Sequence, residues 1–224
     1  MNFKKIIDLT HPIEEGMITF ECDWHPRTSI QQLGRLAQEG RESRKLEIGT
    51  HTGTHVDAPL HFIKGGATID ETSPAILMGE VSIVDFSHLK EDEAVTEEML
   101  HEIKITPRMI FCYGWGKHWG TRKFYHHYPH LSPEAARYLV KKGLKLHGAD
   151  IPSPDDSRIN LTREIKGTDK DSPIHKIFLS NNVVLVEYLA NLDKVKELTG
   201  WHIAALPLKI KDSDGAPARV LLFK

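Results

Sequence analysis

Cysteine is scarce: Cys22 and Cys112 are the only two in 224 residues. Two thiols build neither a disulfide framework nor a cysteine-ligated zinc site, and they suit a reducing compartment, so a cytoplasmic location is the expectation. An excess of either charge is also missing, with 29 Lys and Arg against 31 Asp and Glu. This balance offers no basic field for nucleic acid and no cationic face for a membrane, which leaves a small, roughly neutral molecule as the expected partner. No hydrophobic run approaches the ~18 residues of a membrane span, and the Ile6-Ile7 pair after Lys4 and Lys5 is far short of a signal-peptide core. Internal repeats and low-complexity tracts are lacking as well.

What remains is a chain with 40% hydrophobic residues, enough for a sizeable core in one domain spanning residues 1–224. Runs rich in Ile, Val, Leu and Phe predict strands at Phe3 to Leu9, Lys45 to Gly49, Val81 to Phe86, Met109 to Tyr113, Leu144 to Gly148, Val183 to Glu187, His202 to Leu208 and Arg219 to Phe223. Thr96, Ser132 and Ser172 each offer a capping oxygen ahead of a compatible first turn, and Gly143 closes the helix begun at Pro133. Strand and helix alternate through the second half, which predicts an α/β fold with parallel pairing. The first half, with strands and few helices, predicts an additional irregular sheet. The polar stretch Asp150 to Asp171 reads as a long loop.

Histidine is over-supplied, at 14 residues, and it is both the commonest metal ligand and the side chain that titrates nearest neutral pH. Most of these residues, His126, His127 and His130 among them, read as surface or half-buried groups. The segment His51-Thr52-Gly53-Thr54-His55-Val56-Asp57-Ala58-Pro59-Leu60-His61-Phe62 is different. A helix through it is excluded by Gly53, by β-branched Thr52, Thr54 and Val56, and by Pro59. As an extended chain it turns His51, Gly53, His55, Asp57, Pro59 and His61 to one face. At ~3.3 Å per residue His55 and Asp57 are ~7 Å apart and can share an ion, whereas His51 lies ~13 Å from His55 unless the chain bends. Gly53 permits that bend. Two imidazoles and a carboxylate suit a borderline divalent cation such as Zn²⁺, with room left for water and substrate. His61, four residues past Asp57, is then placed to move protons.

The same segment resembles the His-x-Gly-Thr-His-x-Asp-x-Pro-x-His-Phe signature of the cyclase family of metal-dependent hydrolases, which includes bacterial kynurenine formamidase and isatin hydrolase. The resemblance extends to Ile7-Asp8-Leu9-Thr10-His11-Pro12-Ile13, Tyr113-Gly114-Trp115, Leu131-Ser132-Pro133-Glu134, Gly148-Ala149-Asp150-Ile151-Pro152-Ser153 and Gly215-Ala216-Pro217-Ala218-Arg219. It implies a three-layer β/β/α arrangement with mixed sheets, similar to swivelling domains, and a homodimer or homotetramer. It further implies two divalent ions per subunit, zinc or manganese, held by His51, His55 and Asp57 and by a later pair that best matches His175 and Glu187. His61 takes the role of general acid and base. Both later residues fall at the ends of elements, where α/β proteins build sites. His147 reads instead as a packed strand residue. Phe20, Trp24 and His25 fall where the family places part of its substrate pocket, and their rings suit a planar substrate.

The activity implied is cleavage of a C–N bond in a small amide, with N-formylkynurenine as the leading substrate and kynurenine and formate as products. A stretch from Arg158 to Lys170 departs from the formamidase pattern as an insertion, which keeps a cyclic amide or a lactone open as the substrate. A metal-binding module without turnover is the alternative from another class, and His61, unnecessary for such a module, argues against it.

Overall fold

Successive side chains of a strand point to opposite faces, and this alternation organises the main sheet. The computed structural model describes residues 3–20, 22, 25–160, 167, 168 and 170–224, with Asn160 through its backbone alone. Its strands are β1 (Ile6–Asp8), β2 (Ser29–Gly34), β3 (Ser43–Glu47), β4 (His55–Asp57), β5 (Met78–Asp85), β6 (Ala94–Val95), β7 (Arg108–Cys112), β8 (His130–Leu131), β9 (Leu146–Ala149), β10 (Val184–Glu187), β11 (Trp201–Pro207) and β12 (Gly215–Phe223). The expected mixed α/β class holds. Its dominant feature is a sheet in the order β12-β11-β5-β7-β9-β10-β4, which closes on itself because β4 also pairs with β12.

The run β5-β7-β9-β10 is parallel and the other pairs of this sheet are antiparallel. Parallel neighbours require crossovers, and these carry the helices Pro133–Lys141 and Pro173–Ser180. Strand β12 is long enough to serve two partners along one edge, residues 215–217 with β4 and 221–223 with β1. Asp8 and Arg219, from the opening and closing family-like stretches, form an ion pair across that junction.

One buried set, including Val56, Val81, Ile110, Leu146, Val184, Ile203 and Val220, comes from every strand of the closed sheet and fills its interior. The alternate residues, including Met109, Phe111, Ala149, Val183 and Leu185, face outward and pack against Ala135, Leu139 and Phe178 of the two helices. Ser132 accepts the backbone N–H of Ala135, and Gly143 has φ +93° just past the helix, so that element begins and ends as its sequence predicts. Among the described residues no helix is long and apolar enough to cross a membrane.

The extended reading of residues 51–61 needs correction in length. Only His55–Asp57 is strand; Gly53 turns the chain at φ +62°, and Pro59–His61 coils into a short 3-10 turn. Val56 points into the closed sheet, so parity sends His55 and Asp57 to the outer face. The register then sets Glu187 of β10 opposite His55 and Gly215 of β12 opposite Asp57. The irregular first half folds into the hairpin β2–β3, and every residue of β3 is exposed. Residues 161–166 and 169 of the expected 158–170 insertion lie outside the described residues; Ser157–Asn160 forms a single helical turn at its start.

Gly66 packs against the backbone of the turn that carries His61: a Cβ there would sit 2.7 Å from the carbonyl carbon of Pro59 and 2.9 Å from the nitrogen of Leu60. Gly66→Ala is therefore expected to lower stability by ~1–3 kcal/mol, read as a fall in melting temperature of about 2–4 °C per kcal/mol. A wild-type melting temperature would contradict this tight approach.

Candidate active site

Strand β4 carries His55 and Asp57 into a buried setting, each with 1% of its surface exposed. His55 directs Nδ1 to the carbonyl of Gly53 at 2.7 Å, and a carbonyl only accepts, so that nitrogen carries the hydrogen. Its Nε2 is left facing Asp57 Oδ1 at 3.2 Å and Glu187 Oε2 at 3.4 Å. His175, in the first turn of the helix Pro173–Ser180, repeats the arrangement. Its Nδ1 donates to Asp155 Oδ2 at 2.6 Å, and its Nε2 faces Glu187 Oε1 at 3.3 Å and Asp57 Oδ2 at 3.5 Å.

In their neutral forms these two imidazoles thus present acceptor nitrogens to two buried carboxylates. Acceptors gathered without a donor repel one another, and His55 Nε2, Asp57 Oδ2 and Glu187 Oε1 are all buried with no hydrogen-bond partner. A divalent cation resolves that conflict, and the mixed imidazole and carboxylate set has the chemistry to hold one. His55, Asp57 and Glu187 present ligand atoms within 4.8 Å of one another, as do His51, Asp57 and His61. Asp57 belongs to both groups, so its carboxylate can bridge them.

His51 stands at the edge of this cluster, with Nδ1 2.7 Å from Asp57 Oδ1 and Nε2 2.7 Å from Asp214 Oδ2. His61 stacks on it with ring centroids 3.9 Å apart and turns Nδ1 to Asp214 Oδ2 at 3.4 Å. In the protein without metal, burial opposes charge on His51, but Asp57 and Asp214 outweigh it and push the imidazole up to about 10. His175 is likewise buried yet raised well above the ordinary histidine value by Asp155, Asp57 and Glu187. Burial, with Asp57 beside it, raises Glu187. Burial outweighs Asp214 at His61, which is lowered and so neutral at physiological pH.

A cavity of about 190 Å³ opens over the cluster, walled by Phe20, His25, Phe62, Pro152 and Tyr188 with His51, His55, His61, His175 and Glu187 at its base. The structure brings together His51, His55, Asp57, His61, His175 and Glu187, and places Phe20 and His25 on the wall; Trp24 lies outside the described residues. His147 stays apart, its ring packed against Phe111 and Phe178.

Two carboxylates of the site were not anticipated from sequence. Asp155 is buried and caps the helix Pro173–Ser180, accepting from the backbone N–H groups of Ile174 and His175. The expected cap, Ser172, makes no cap hydrogen bond because its backbone is left-handed at φ 48°. Asp214 precedes Gly215, one residue ahead of the stretch that resembles the family, and no spacing ties it to His51 before β12 is paired with β4.

The Cyclase family model matches residues 7–156, a stretch that contains His51 to His61. The kynurenine formamidase of Bacillus anthracis is 28% identical over 223 residues, covering 99% of this chain and 99% of that enzyme. Isatin hydrolase A from Labrenzia aggregata, solved with benzyl benzoate, superposes with a TM-score of 0.84 at 25% identity, covering 98% of this chain and 93% of that one. The structure described as a predicted metal-dependent hydrolase from Bacillus stearothermophilus gives 0.76 at 28% identity and covers 98% of each chain.

A metal held by His51 and His175 would have to displace the protons that the surrounding carboxylates keep on them in the metal-free protein. Titrating a divalent ion into chelator-stripped protein near neutral pH is expected to release protons, on the order of one per imidazole engaged. Two buffers of different ionisation enthalpy would measure this, with apparent affinity rising as pH climbs toward about 10. The stabilisation that protonated His51 gives the metal-free protein is present below 6.5 and lost as pH rises through about 10. Metal uptake without proton release would contradict both histidines as ligands.

Proposed function

The chain belongs to the cyclase family of metal-dependent hydrolases, and from that premise we propose that it hydrolyses the C–N bond of a small aryl amide. N-formylkynurenine is the leading substrate, with kynurenine and formate as products. The observation that carries this reading is the convergence of His55 Nε2, Asp57 Oδ2 and Glu187 Oε1, buried and without hydrogen-bond partners, at the base of an aromatic cavity. The full-length likeness to the Bacillus anthracis kynurenine formamidase supports the choice of amide.

In this reading His51, His55, Asp57, His175 and Glu187 would hold two divalent ions, zinc or manganese. The chemistry such ions supply is Lewis acidity, which brings the pKa of water toward ~7 and polarises a carbonyl oxygen. Everything else falls to the chain. His61 is neutral and stacked on His51, and Asp214 faces its Nδ1, which leaves Nε2 to take the proton of the attacking water and to return one to the departing amine. Phe20, Phe62 and Tyr188 give a planar ring apolar walls, and His25 lines the same cavity.

We extend the proposal to a three-layer β/β/α description of the fold and to a homodimer or homotetramer. Exposed Leu33, Leu36 and Leu46 on and beside the β2–β3 hairpin support the latter, since a second copy would cover them. A cyclic amide is the second reading of the substrate, favoured by the higher TM-score to isatin hydrolase A; a lactone would be opened by the same steps.

His61→Gln separates proton transfer from metal binding. The variant is expected to keep its metal and to lose ~10²–10⁴-fold in kcat toward N-formylkynurenine. Undiminished turnover would remove His61 from the reaction, and loss of metal together with turnover would make it a ligand, as its distance from His51 and Asp57 also permits.

A further inference from the structure

One carboxylate touches both the histidine at the metal edge of the site and the histidine that moves protons. Asp214 Oδ2 lies 2.7 Å from His51 Nε2 and 3.4 Å from His61 Nδ1. A carboxylate accepts only, so each nitrogen facing it carries a hydrogen. His51 Nδ1 faces Asp57 at 2.7 Å in the same way, so without metal both of its nitrogens carry hydrogens; Asp214 would keep the one on Nε2 when a cation takes the place of the one on Nδ1, and it leaves the lone pair of His61 on Nε2. Without Asp214 each ring is free to carry its hydrogen on the other nitrogen, and both functions would be lost to the wrong tautomer.

The backbone holds Asp214 in place independently of these contacts. Its carbonyl accepts the N–H of Ala58, continuing the pairing of β12 with β4 one step past Gly215 and Asp57. Gly215 leaves the room that His51 needs, since a Cβ there would lie 3.0 Å from His51 Cε1 and 2.8 Å from the carbonyl of Val56. Ser213, whose hydroxyl donates to the Gly215 carbonyl at 2.8 Å, tightens the same turn. The side chain of Asp214 remains 35% exposed, so its position is not explained by packing.

We propose that Asp214 is a positioning residue for two steps at once: it presents His51 to the metal and His61 to the substrate through a single oxygen. The assignment rests on the amide-hydrolase reading for its second half and on ligand geometry alone for its first. His61, on becoming an imidazolium, also gains a counter-charge from the same carboxylate, as the aspartate of a serine-protease triad provides for its histidine.

The test is Asp214→Asn, with Asp214→Glu as the variant that keeps the charge. Metal affinity would be measured by competition with a chelating dye, and kcat and KM for N-formylkynurenine at saturating metal. Asp214→Asn is expected to bind metal ~10–100-fold more weakly and, with metal saturating, still to lose on the order of 10²-fold in kcat while KM stays within a few-fold. Asp214→Glu should recover part of both losses. In the His61→Gln background, Asp214→Asn should weaken metal binding without a further drop in kcat, because the two residues act as one unit. Wild-type affinity and kcat in Asp214→Asn would overturn the assignment, and full recovery of kcat by saturating metal would overturn its second half. Wild-type protein that binds metal but has no turnover would instead contradict the amide-hydrolase reading and leave the affinity comparison to decide the role at His51.

Discussion

Asp57 is the residue on which the site depends. A carboxylate with 1% exposure, facing a second buried carboxylate and two imidazole acceptors, is electrostatically untenable without cations or protons between them. The chain tolerates it because β4 is pinned on both edges, by β10 and by β12, so neither Asp57 nor its neighbours can move apart to reach water. The closed sheet and the site share the same strand. Val56 seals the interior while its two neighbours build the chemistry outside, and a one-residue slip in that pairing would exchange the two faces.

Rigid supports surround this centre. His55 is turned by a carbonyl in the bend at Gly53, His175 by Asp155, and His51 by Asp214, so each imidazole reaching toward Asp57 is oriented from behind. Asp155 does more than orient, since it also holds the first turn of the helix from which His175 projects. The hydrogen bonds that finish a helix end thereby place the imidazole that faces Asp57 and Glu187. This is how a loop residue can bear on the site without lining the cavity.

Legibility in the sequence followed the range of the interaction. The segment His51 to His61 could be read because its residues are close together and its Gly and Pro exclude a helix, although its strand is only three residues long and His61 sits in a tight turn. His175 and Glu187 required the family resemblance, being far along the chain from the first segment; the register of β4 with β10 brings Glu187 to His55, and the helix capped by Asp155 carries His175. Asp155 and Asp214 left no readable pattern: one is an acidic residue in a polar loop, the other an acid in a turn, and each acquires its role from strands or helices that arrive from elsewhere. The same holds for the fold. Apolar runs marked most strands, but β2, β6 and β8 are short or exposed, and the closure of the sheet depends on β12 pairing with β4 across more than half the chain.

Metal content per chain, measured on protein purified without chelator and paired with hydrolysis of N-formylkynurenine before and after metal removal, bears most directly on the role given to Asp57 and its histidines. The account predicts about two divalent ions per chain, loss of turnover on their removal and its return when zinc or manganese is added back. Hydrolysis that persists in stripped protein, or a stripped protein that binds no divalent ion, would contradict it.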